Sequence, residues 1–229
     1  MARPKAPKRV GTLAATHSPE APGLPRGKGS LTEATVARAQ RKRLKSAMVA
    51  AVAELGYPEV RIADIVERAR VSRMVFYAQF DSKEACYLSS ANSGVQFLMK
   101  RWTTPPVVTS ETDKSLDTFL RSRVRAYLQS CREEPEFTRF LVVESLAAGP
   151  RVATWRNGVM KTMAQLLAMA HRAARVENPH WPALSDKAYL ATVGAMEELV
   201  YECATSGKLD QALELEEPFM EILRAMLIR

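Results

Sequence analysis

The sequence lacks the patterns that identify several other kinds of protein. Its three cysteines, Cys86, Cys131 and Cys203, are far apart and form no CxxC pair, so neither a disulfide framework nor a zinc site is expected. No uninterrupted apolar run approaches the roughly 18 residues that a membrane span needs. No alternating run of strand type is bounded by turn residues, which argues against a β-sheet. The sequence therefore predicts an all-helical chain that neither crosses a membrane nor holds a metal.

Signatures of catalysis are also missing. The chain contains no HExxH, GxSxG, dinucleotide fingerprint or complete phosphate loop. Gly27-Lys28-Gly29-Ser30 resembles a fragment of a phosphate loop but lacks the full spacing and a preceding strand. His171 lies in a long helical pattern and is assigned to packing or to the surface. We expect no catalytic residue and no cofactor; an all-helical enzyme whose site has no sequence signature is the main alternative from another class.

The net charge of +8 is concentrated in the first part of the chain. Residues up to Ser90 include 16 Lys and Arg against 8 Asp and Glu, and the remainder has 17 of each. This is the distribution of a polyanion-binding module joined to a neutral one. Residues 1–30 are rich in Pro, Gly and basic residues, so they are predicted to be a disordered basic arm, which either reaches DNA or serves as a solvated linker. The arm lacks the apolar core of a signal peptide, and a cytoplasmic location is expected.

One stretch, from Arg61 to Glu84, organises the rest of the sequence. Apolar residues recur at helical spacing in its first half, and Ser72 is placed to cap a second short helix from about Arg73. Phe76 and Phe80 lie one turn apart on the side of that helix expected to be buried. Two short helices across a tight turn form the helix-turn-helix pattern, whose second helix enters the DNA major groove. The apolar residues of the first helix are Ile62, Ile65, Val66 and Ala69.

The residues of this stretch resemble the N-terminal domain of tetracycline-repressor-like (TetR/AcrR) regulators over about Arg41 to Leu88. The resemblance implies an all-α fold, with a three-helix helix-turn-helix domain at 31–88 and a helical ligand-binding and dimerisation domain at 89–229. Arg70 stands where the family usually has Gly, so a non-Gly residue is expected in the strained turn. The matching residues are Ile62-Ala63-Asp64-Ile65, Ala69, Val71-Ser72-Arg73, Phe76-Tyr77, Phe80 and Ser82-Lys83-Glu84.

The contacts expected with DNA follow from helix geometry and from the resemblance. A helix N-terminus presents free N–H groups to phosphate, and Arg73 can bind guanine or a phosphate. The resemblance implies phosphate contacts for Tyr77 and Lys83; core packing beside Phe76 is the alternative for Tyr77. Lys83 is also a cation at a helix N-terminus, which calls for a nearby anion. The predicted DNA-binding residues are Arg61, Ser72, Arg73, Met74, Val75, Tyr77, Gln79 and Lys83, with one or two backbone contacts from the basic cluster Arg38, Arg41, Lys42, Arg43 and Lys45.

The remaining sequence predicts further helices and two functions for them. The resemblance implies a ligand pocket within helices 4 to 7, suited to a small apolar molecule, although aromatic and Met residues at helical spacing also fit a simple core. The candidate walls are Phe97, Trp102, Phe119, Phe137, Phe140, Trp155, Met160 and Met163. The last two helices carry apolar stripes that either pack internally or form a four-helix bundle across a two-fold axis. The predicted interface residues are Tyr189, Val193, Met196, Val200, Phe219, Ile222, Leu223 and Met226.

Together with these patterns, the resemblance implies a homodimeric repressor that binds a palindromic operator in double-stranded DNA and is released by a small, largely apolar effector. A ligand-independent module that binds DNA or another partner is the second alternative. Helices are expected from Thr32 to Gly56, from Ser82 to Trp102, from Arg151 to Val176 and from Ser185 to Ser206. Two more are expected to end near Glu134 and at Gly149, and the final helix is expected to begin at Pro218.

Overall fold

The computed structural model describes residues 11–15, 32–103 and 115–228, and all regular structure in them is helical. The all-α prediction is therefore confirmed. A π-helical turn (Arg139–Val143) and a 3-10 turn (Glu144–Ala147) follow α6, and a 3-10 segment (Leu209–Leu215) precedes α9. The helices are α1 (Glu33–Leu55), α2 (Ile62–Ala69), α3 (Arg73–Gln79), α4 (Lys83–Thr103), α5 (Leu116–Glu133), α6 (Pro135–Thr138), α7 (Pro150–Ala174), α8 (Asp186–Thr205) and α9 (Glu216–Leu227).

The chain forms two compact units. The first contains the residues up to Gly94 together with Glu136–Gly149, and the second contains Val95–Pro135 and Pro150–Arg229. The predicted domain boundary after residue 88 stays a prediction. The two compact units are divided within α4, and Glu136–Gly149 packs with the first unit. The predicted basic arm and the loop predicted after Trp102 lie outside the described residues, apart from 11–15.

Local capping explains where most of the helices begin. The side-chain oxygens of Thr32, Ser115 and Ser185 each accept the N–H of the residue three positions later, at 3.2–3.3 Å. Gly56 ends α1 with a φ of 82°, a conformation that favours glycine. These caps confirm the predicted start and end of α1 and the predicted start of α8.

The core of the first unit includes side chains from Glu136–Gly149. Tyr87 stacks on Phe140 with ring centroids 4.0 Å apart, and its hydroxyl donates to the Phe140 carbonyl at 2.5 Å. Phe137 stacks against Phe140 in turn, and both rings are almost fully buried. Phe137 and Phe140 are thus core residues of the first unit, which corrects their assignment as walls of a pocket in the C-terminal domain. The predicted single helix here is instead divided into α, π and 3-10 turns.

The second unit buries most of the residues assigned to the dimer interface. α7 packs against α8, and α5 packs against α9 and the 3-10 segment before it. The apolar stripe of α8 faces this core, so a single subunit already covers it. The prediction is corrected for five residues, Tyr189, Val193, Val200, Phe219 and Leu223, whose exposed fractions are 8% or less. Met196, Ile222 and Met226 are half-buried.

His171 connects three helices of the second unit. Its Nε2 lies 2.8 Å from the Leu227 carbonyl at the end of α9, and its Nδ1 lies 2.8 Å from the Tyr189 hydroxyl on α8. Because a carbonyl oxygen only accepts, the proton of the neutral ring is on Nε2, and Nδ1 accepts from Tyr189. The ring is fully buried and stacks on Trp181. Its assignment to packing is confirmed.

Acid is expected to destabilise the second unit through His171. Burial lowers the pKa of His171 below its usual 6.5, and Arg175 and Arg172 lower it further, against the opposing effect of the Leu227 bond. The unfolded chain therefore takes up the proton first, and the free energy of unfolding should fall as the pH drops below about 6.5 towards the native pKa. Urea unfolding between pH 7.5 and 5 measures this slope. His171→Gln should flatten it, whereas His180→Gln, at an exposed histidine, should not; equal slopes for both variants would contradict the prediction.

All three cysteines are buried thiols that form no disulfide within the described residues. Burial raises the pKa of Cys86 to about 12 and also raises the pKa of Cys203. A buried thiol with a raised pKa is a poor nucleophile and metal ligand. Their predicted role as small apolar residues is confirmed by these positions.

Candidate nucleic-acid interface

α3 is anchored on one side and exposed on the other. Ser72 caps it by accepting the Val75 N–H at 3.2 Å, and Phe76 and Phe80 bury their rings, with centroids 5.9 Å apart. The opposite face carries Arg73, Met74 (78% exposed) and Tyr77 (56% exposed). The Tyr77 ring touches Phe76 edge-on at 5.5 Å, so only its inner edge packs on the core. This face is free to contact another molecule.

The turn between α2 and α3 is strained at Arg70. Arg70 has φ 54° and ψ 49°, the left-handed conformation expected there, and no other non-glycine residue in the described part of the chain has a positive φ. Its N–H still caps α2 by donating to the Glu67 carbonyl at 3.1 Å. The strain costs about 1–2 kcal/mol for an ordinary residue. The strained residue is one whose guanidinium is exposed beside the start of α3.

Arg70→Gly should therefore raise the stability of the first unit. Glycine removes the left-handed penalty but adds unfolded-chain entropy, and the net gain is expected to be about 0.5–1 kcal/mol. The measurement is the urea midpoint of unfolding. Arg70→Ala keeps the strain and removes the same charge, so it serves as the matched control. An equal gain for Arg70→Ala would assign the effect to charge instead of backbone strain.

Arg61 precedes α2 without capping it in the usual way. The Asp64 carboxylate accepts the Arg61 N–H at 2.8 Å and lies 3.6 Å from the Arg61 guanidinium nitrogen. The backbone bond to Arg61 lowers the pKa of Asp64, so the carboxylate stays ionised and holds the first turn. The Arg61 side chain is 81% exposed and extends from the N-terminus of α2.

Lys83 is hydrogen-bonded within the first unit, next to the helix-turn-helix. The Lys83 ammonium donates to the carbonyls of Tyr57 and Val60, each at 2.9 Å, and lies 4.2 Å from the Tyr57 ring centre. Burial lowers the pKa of Lys83. These carbonyls account for a cation at the start of α4, so the expectation that a nearby anion explains it is corrected. Its contact with DNA stays a prediction.

Arg41 binds the other end of α3. Its guanidinium donates to the Gln79 carbonyl at 2.6 Å and lies 4.2 Å from the Phe80 ring centre. The Gln79 side-chain oxygen lies 3.4 Å from the same guanidinium and is therefore partly engaged inside the unit. Lys45 likewise donates to Ser93 at 2.8 Å. Of the basic cluster of α1, Arg38 and Lys42 are the exposed members.

Sequence reasoning missed Glu144, which holds the loop between α1 and α2. This buried carboxylate accepts the Tyr57 N–H at 2.9 Å and lies 3.5 Å from the Arg139 guanidinium. The two partners of the backbone bond are 87 residues apart in the chain. No local pattern marks such a contact, so only the fold identifies it.

The other candidate pocket walls lie in the second unit. Trp102 donates to the Ser130 hydroxyl at 3.0 Å and meets Tyr127 edge-on at 5.1 Å. Phe97 and Phe119 are more than 40% exposed, and Trp155, Met160 and Met163 are half-buried. Sequence reasoning missed the polar pair that accompanies them, Arg156 on α7 and Glu197 on α8, whose side chains meet at 3.1 Å.

The fold and the exposed face of α3 define a helix-turn-helix DNA-binding protein. Residues 46–89 match the family model described as bacterial regulatory proteins, tetR family. Residues 46–89 therefore carry the tetR-type regulatory domain that the sequence pattern predicted. No helix in the described ranges is both long and apolar enough to cross a bilayer.

Solved structures share the fold at low sequence identity. The fatty acid degradation regulator FadR from Bacillus halodurans is 15% identical with a TM-score of 0.65, over 80% of this chain and 94% of its own. FadR from Bacillus subtilis, in complex with stearoyl-CoA, is 15% identical with a TM-score of 0.66, over 79% and 95%. A TetR-like regulator from Rhodococcus sp. RHA1 is 17% identical with a TM-score of 0.56, over 87% and 100%. The comparison with curated proteins finds no match.

Proposed function

We propose that this protein is a homodimeric repressor that binds a palindromic operator through α3 of each subunit and is released by a small, largely apolar ligand. The observation that carries the proposal is the exposed face of α3, with Arg73, Met74 and Tyr77 held outward by Phe76 and Phe80. A rigid helix with one free polar side is what the major groove admits. Met74 and Val75 are placed to contact thymine methyl groups.

The charge of the region supports binding to the DNA backbone. Arg61 precedes α2, Arg70 lies in the turn, and Arg73 begins α3, and all three side chains are exposed. Ser72 and the free N–H groups at the start of α3 add donors suited to phosphate. Affinity should therefore fall steeply with salt.

Electrophoretic mobility shift or fluorescence anisotropy with duplex from the gene's own upstream region tests this function. The protein is expected to bind that duplex at moderate salt in preference to competitor DNA, with two subunits per site. Half-sites should be centred about 34–36 Å apart, or at a simple multiple. Equal affinity for random duplex would contradict operator recognition, and no affinity for any duplex would contradict the proposal as a whole.

Dimerisation is proposed through the outer faces of α8 and α9. Ala191 and Ala195 lie on the exposed side of α8, and small side chains there permit a second helix to approach closely. On α9, Ile222 and Met226 are half-buried and therefore available at the edge of such a contact. A two-fold axis along these helices would bring four helices together and hold two α3 helices in a fixed spacing.

Ala195→Arg should convert the dimer to a monomer and weaken operator binding. The added side chain places a charge against its symmetry mate, and an uncompensated charge in an interface costs several kcal/mol. Analytical ultracentrifugation at micromolar concentration measures the change. Ala147→Arg, also at an exposed alanine but in the first unit, should leave the mass unchanged. A wild-type monomer would contradict the proposed assembly.

The ligand is proposed to bind in the second unit. Its helices carry the aromatic residues Trp102, Tyr127, Trp155 and Phe119, which can supply apolar surface to a ligand. The structure of Bacillus subtilis FadR, which shares the fold, is a complex with stearoyl-CoA, and it supports a ligand with a long apolar part. Such a ligand would act by favouring a dimer whose two α3 helices no longer match adjacent major grooves.

A further inference from the structure

The second unit contains an ion pair that is incompletely hydrogen-bonded. Arg156 Nη2 donates to Glu197 Oε1 at 3.1 Å, and the two side chains are about one-fifth exposed or less. Arg156 Nε is buried and has no hydrogen-bond partner among the residues that the structure describes. A buried guanidinium donor without a partner is costly, and in native structures such a group calls for an explanation. A replaceable partner is one such explanation.

The unused donor lies on the edge of the guanidinium that suits a carboxylate. Nε and Nη2 point the same way, and a carboxylate can accept from both in parallel. Glu197 uses only one of these two donors. A carboxylate that bound both would form the stronger, two-point contact and would displace Glu197.

The surroundings are those of a site for an amphipathic molecule. Burial raises the pKa of Tyr127 on α5 well above its usual value, and Cys131, Glu197 and Arg156 act on the same hydroxyl. Tyr127 therefore lies beside the ion pair, and it also meets the rings of Trp102 at 5.1 Å and Phe219 at 6.2 Å. Polar groups from α5, α7 and α8 thus converge within an aromatic surrounding, which is how ligand sites are built.

We propose that Arg156 is the anchor for the carboxylate of an apolar organic acid, and that Glu197 occupies this anchor when no ligand is bound. This inference rests on the proposed function, since it names the class of ligand that the second unit would take. When the ligand carboxylate binds Arg156, Glu197 loses its partner and takes up one proton from solvent. The only covalent bond formed is the O–H bond of the protonated Glu197, and the total charge at the site stays constant.

The groups that act on Glu197 agree with this exchange. Burial raises the pKa of Glu197, and Arg156 is the charge that opposes the increase; Tyr127 on α5 is a titratable group whose hydroxyl interacts with both members of the pair. Once Arg156 is taken by a ligand, the opposing charge is lost and protonation becomes easier. Binding should therefore weaken by up to tenfold per pH unit as the pH rises from the pKa of Glu197 in the free protein towards its higher pKa in the complex.

Isothermal titration with decanoate and with 2-naphthoate tests the proposal, with decanol and decyltrimethylammonium as neutral and cationic comparisons. The wild-type protein should bind at least one of the two acids and should bind the comparisons more weakly. Arg156→Gln should lose about 10- to 100-fold in affinity for the acid. Glu197→Gln should bind it more tightly than wild type at pH 8 and lose the pH dependence between pH 6 and 8. Titration in two buffers of different ionisation enthalpy should show proton uptake in the wild type only.

Several outcomes would overturn the inference. These are no binding of either acid by the folded wild type, equal affinity for decanol, or unchanged affinity in Arg156→Gln. Circular dichroism and thermal melting confirm that each variant folds, and the gain expected for Glu197→Gln cannot arise from misfolding. Operator affinity is measured on the same preparations without acid, so that operator binding without acid binding contradicts this inference alone. Acid binding without operator binding would contradict only the proposed function.

Discussion

Replacing Gly94 with alanine is expected to destabilise the first unit by about 1–3 kcal/mol, because overpacking a filled core forces side chains and backbone to move. A Cβ built on Gly94 would overlap the ring of Phe137 at several carbon atoms. Gly94 lies within α4, where alanine would otherwise be the better residue by about 0.5–1 kcal/mol. The expected loss therefore has the opposite sign from that of helix propensity.

Phe137 has little freedom to move away from the new methyl group. Its ring is 1% exposed and stacks on Phe140, which stacks on Tyr87 in turn. Tyr87 is fixed at its far end by the bond from its hydroxyl to the Phe140 carbonyl. A shift of one ring would disturb the other two, and close-packed interiors transmit such strain.

Gly158→Ala is the matched control. Gly158 also lies inside a helix, α7, and a Cβ there meets no atom within 4 Å. This variant should gain about 0.5–1 kcal/mol from helix propensity alone. Urea unfolding of both variants measures the difference. A stabilised Gly94→Ala protein would mean that the Phe137 cluster repacks freely and is not the rigid core described above.

The features that depend on neighbouring residues were predictable from the sequence. Thr32, Ser72 and Ser185 cap helices as expected because an N-cap needs only the three residues that follow it. Arg70 adopts the left-handed conformation that the resemblance to TetR/AcrR regulators implied for this turn. The prediction of α2 and α3 therefore required no information from distant parts of the chain.

The sequence predicts that the apolar stripes are buried, but it does not predict which surface covers them. Periodicity shows that Phe137 and Val193 face something apolar, and both are buried. It does not show whether that surface belongs to a ligand, a second subunit or the same core. For Phe137, Phe140 and the five α8 and α9 residues the same core is the answer.

Pairs of distant polar residues were not predictable at all. Glu144 with Tyr57, Arg41 with Gln79, and Arg156 with Glu197 join residues 87, 38 and 41 positions apart. A lone charged residue in a helical pattern is usually solvated, so nothing in the sequence separates these from the many exposed charges. For Lys83 the missing information was the position of two backbone carbonyls.

Arg73→Ala is expected to lower operator affinity by about 1–3 kcal/mol, or roughly 5- to 150-fold, and to relax specificity at one base pair of each half-site. Arg73 is the first residue of α3, its side chain is exposed, and the Ser72 cap fixes its direction. An arginine there can donate two parallel bonds to guanine. Anisotropy on the operator, on single-base variants and on random duplex measures the change. Arg132→Ala removes the same charge from an exposed site in the second unit and should have little effect.

Tyr77→Phe separates base recognition from backbone contact. It removes only the hydroxyl, leaving the ring edge against Phe76 in place, so the fold of α3 should be kept. A phosphate contact carries no sequence information, and its loss should weaken operator and random duplex by the same factor. Arg73→Ala should instead reduce the ratio of the two affinities. Equal losses on both duplexes for both variants would mean that Arg73 also binds phosphate, and that base recognition has to come from Met74, Val75 and Gln79.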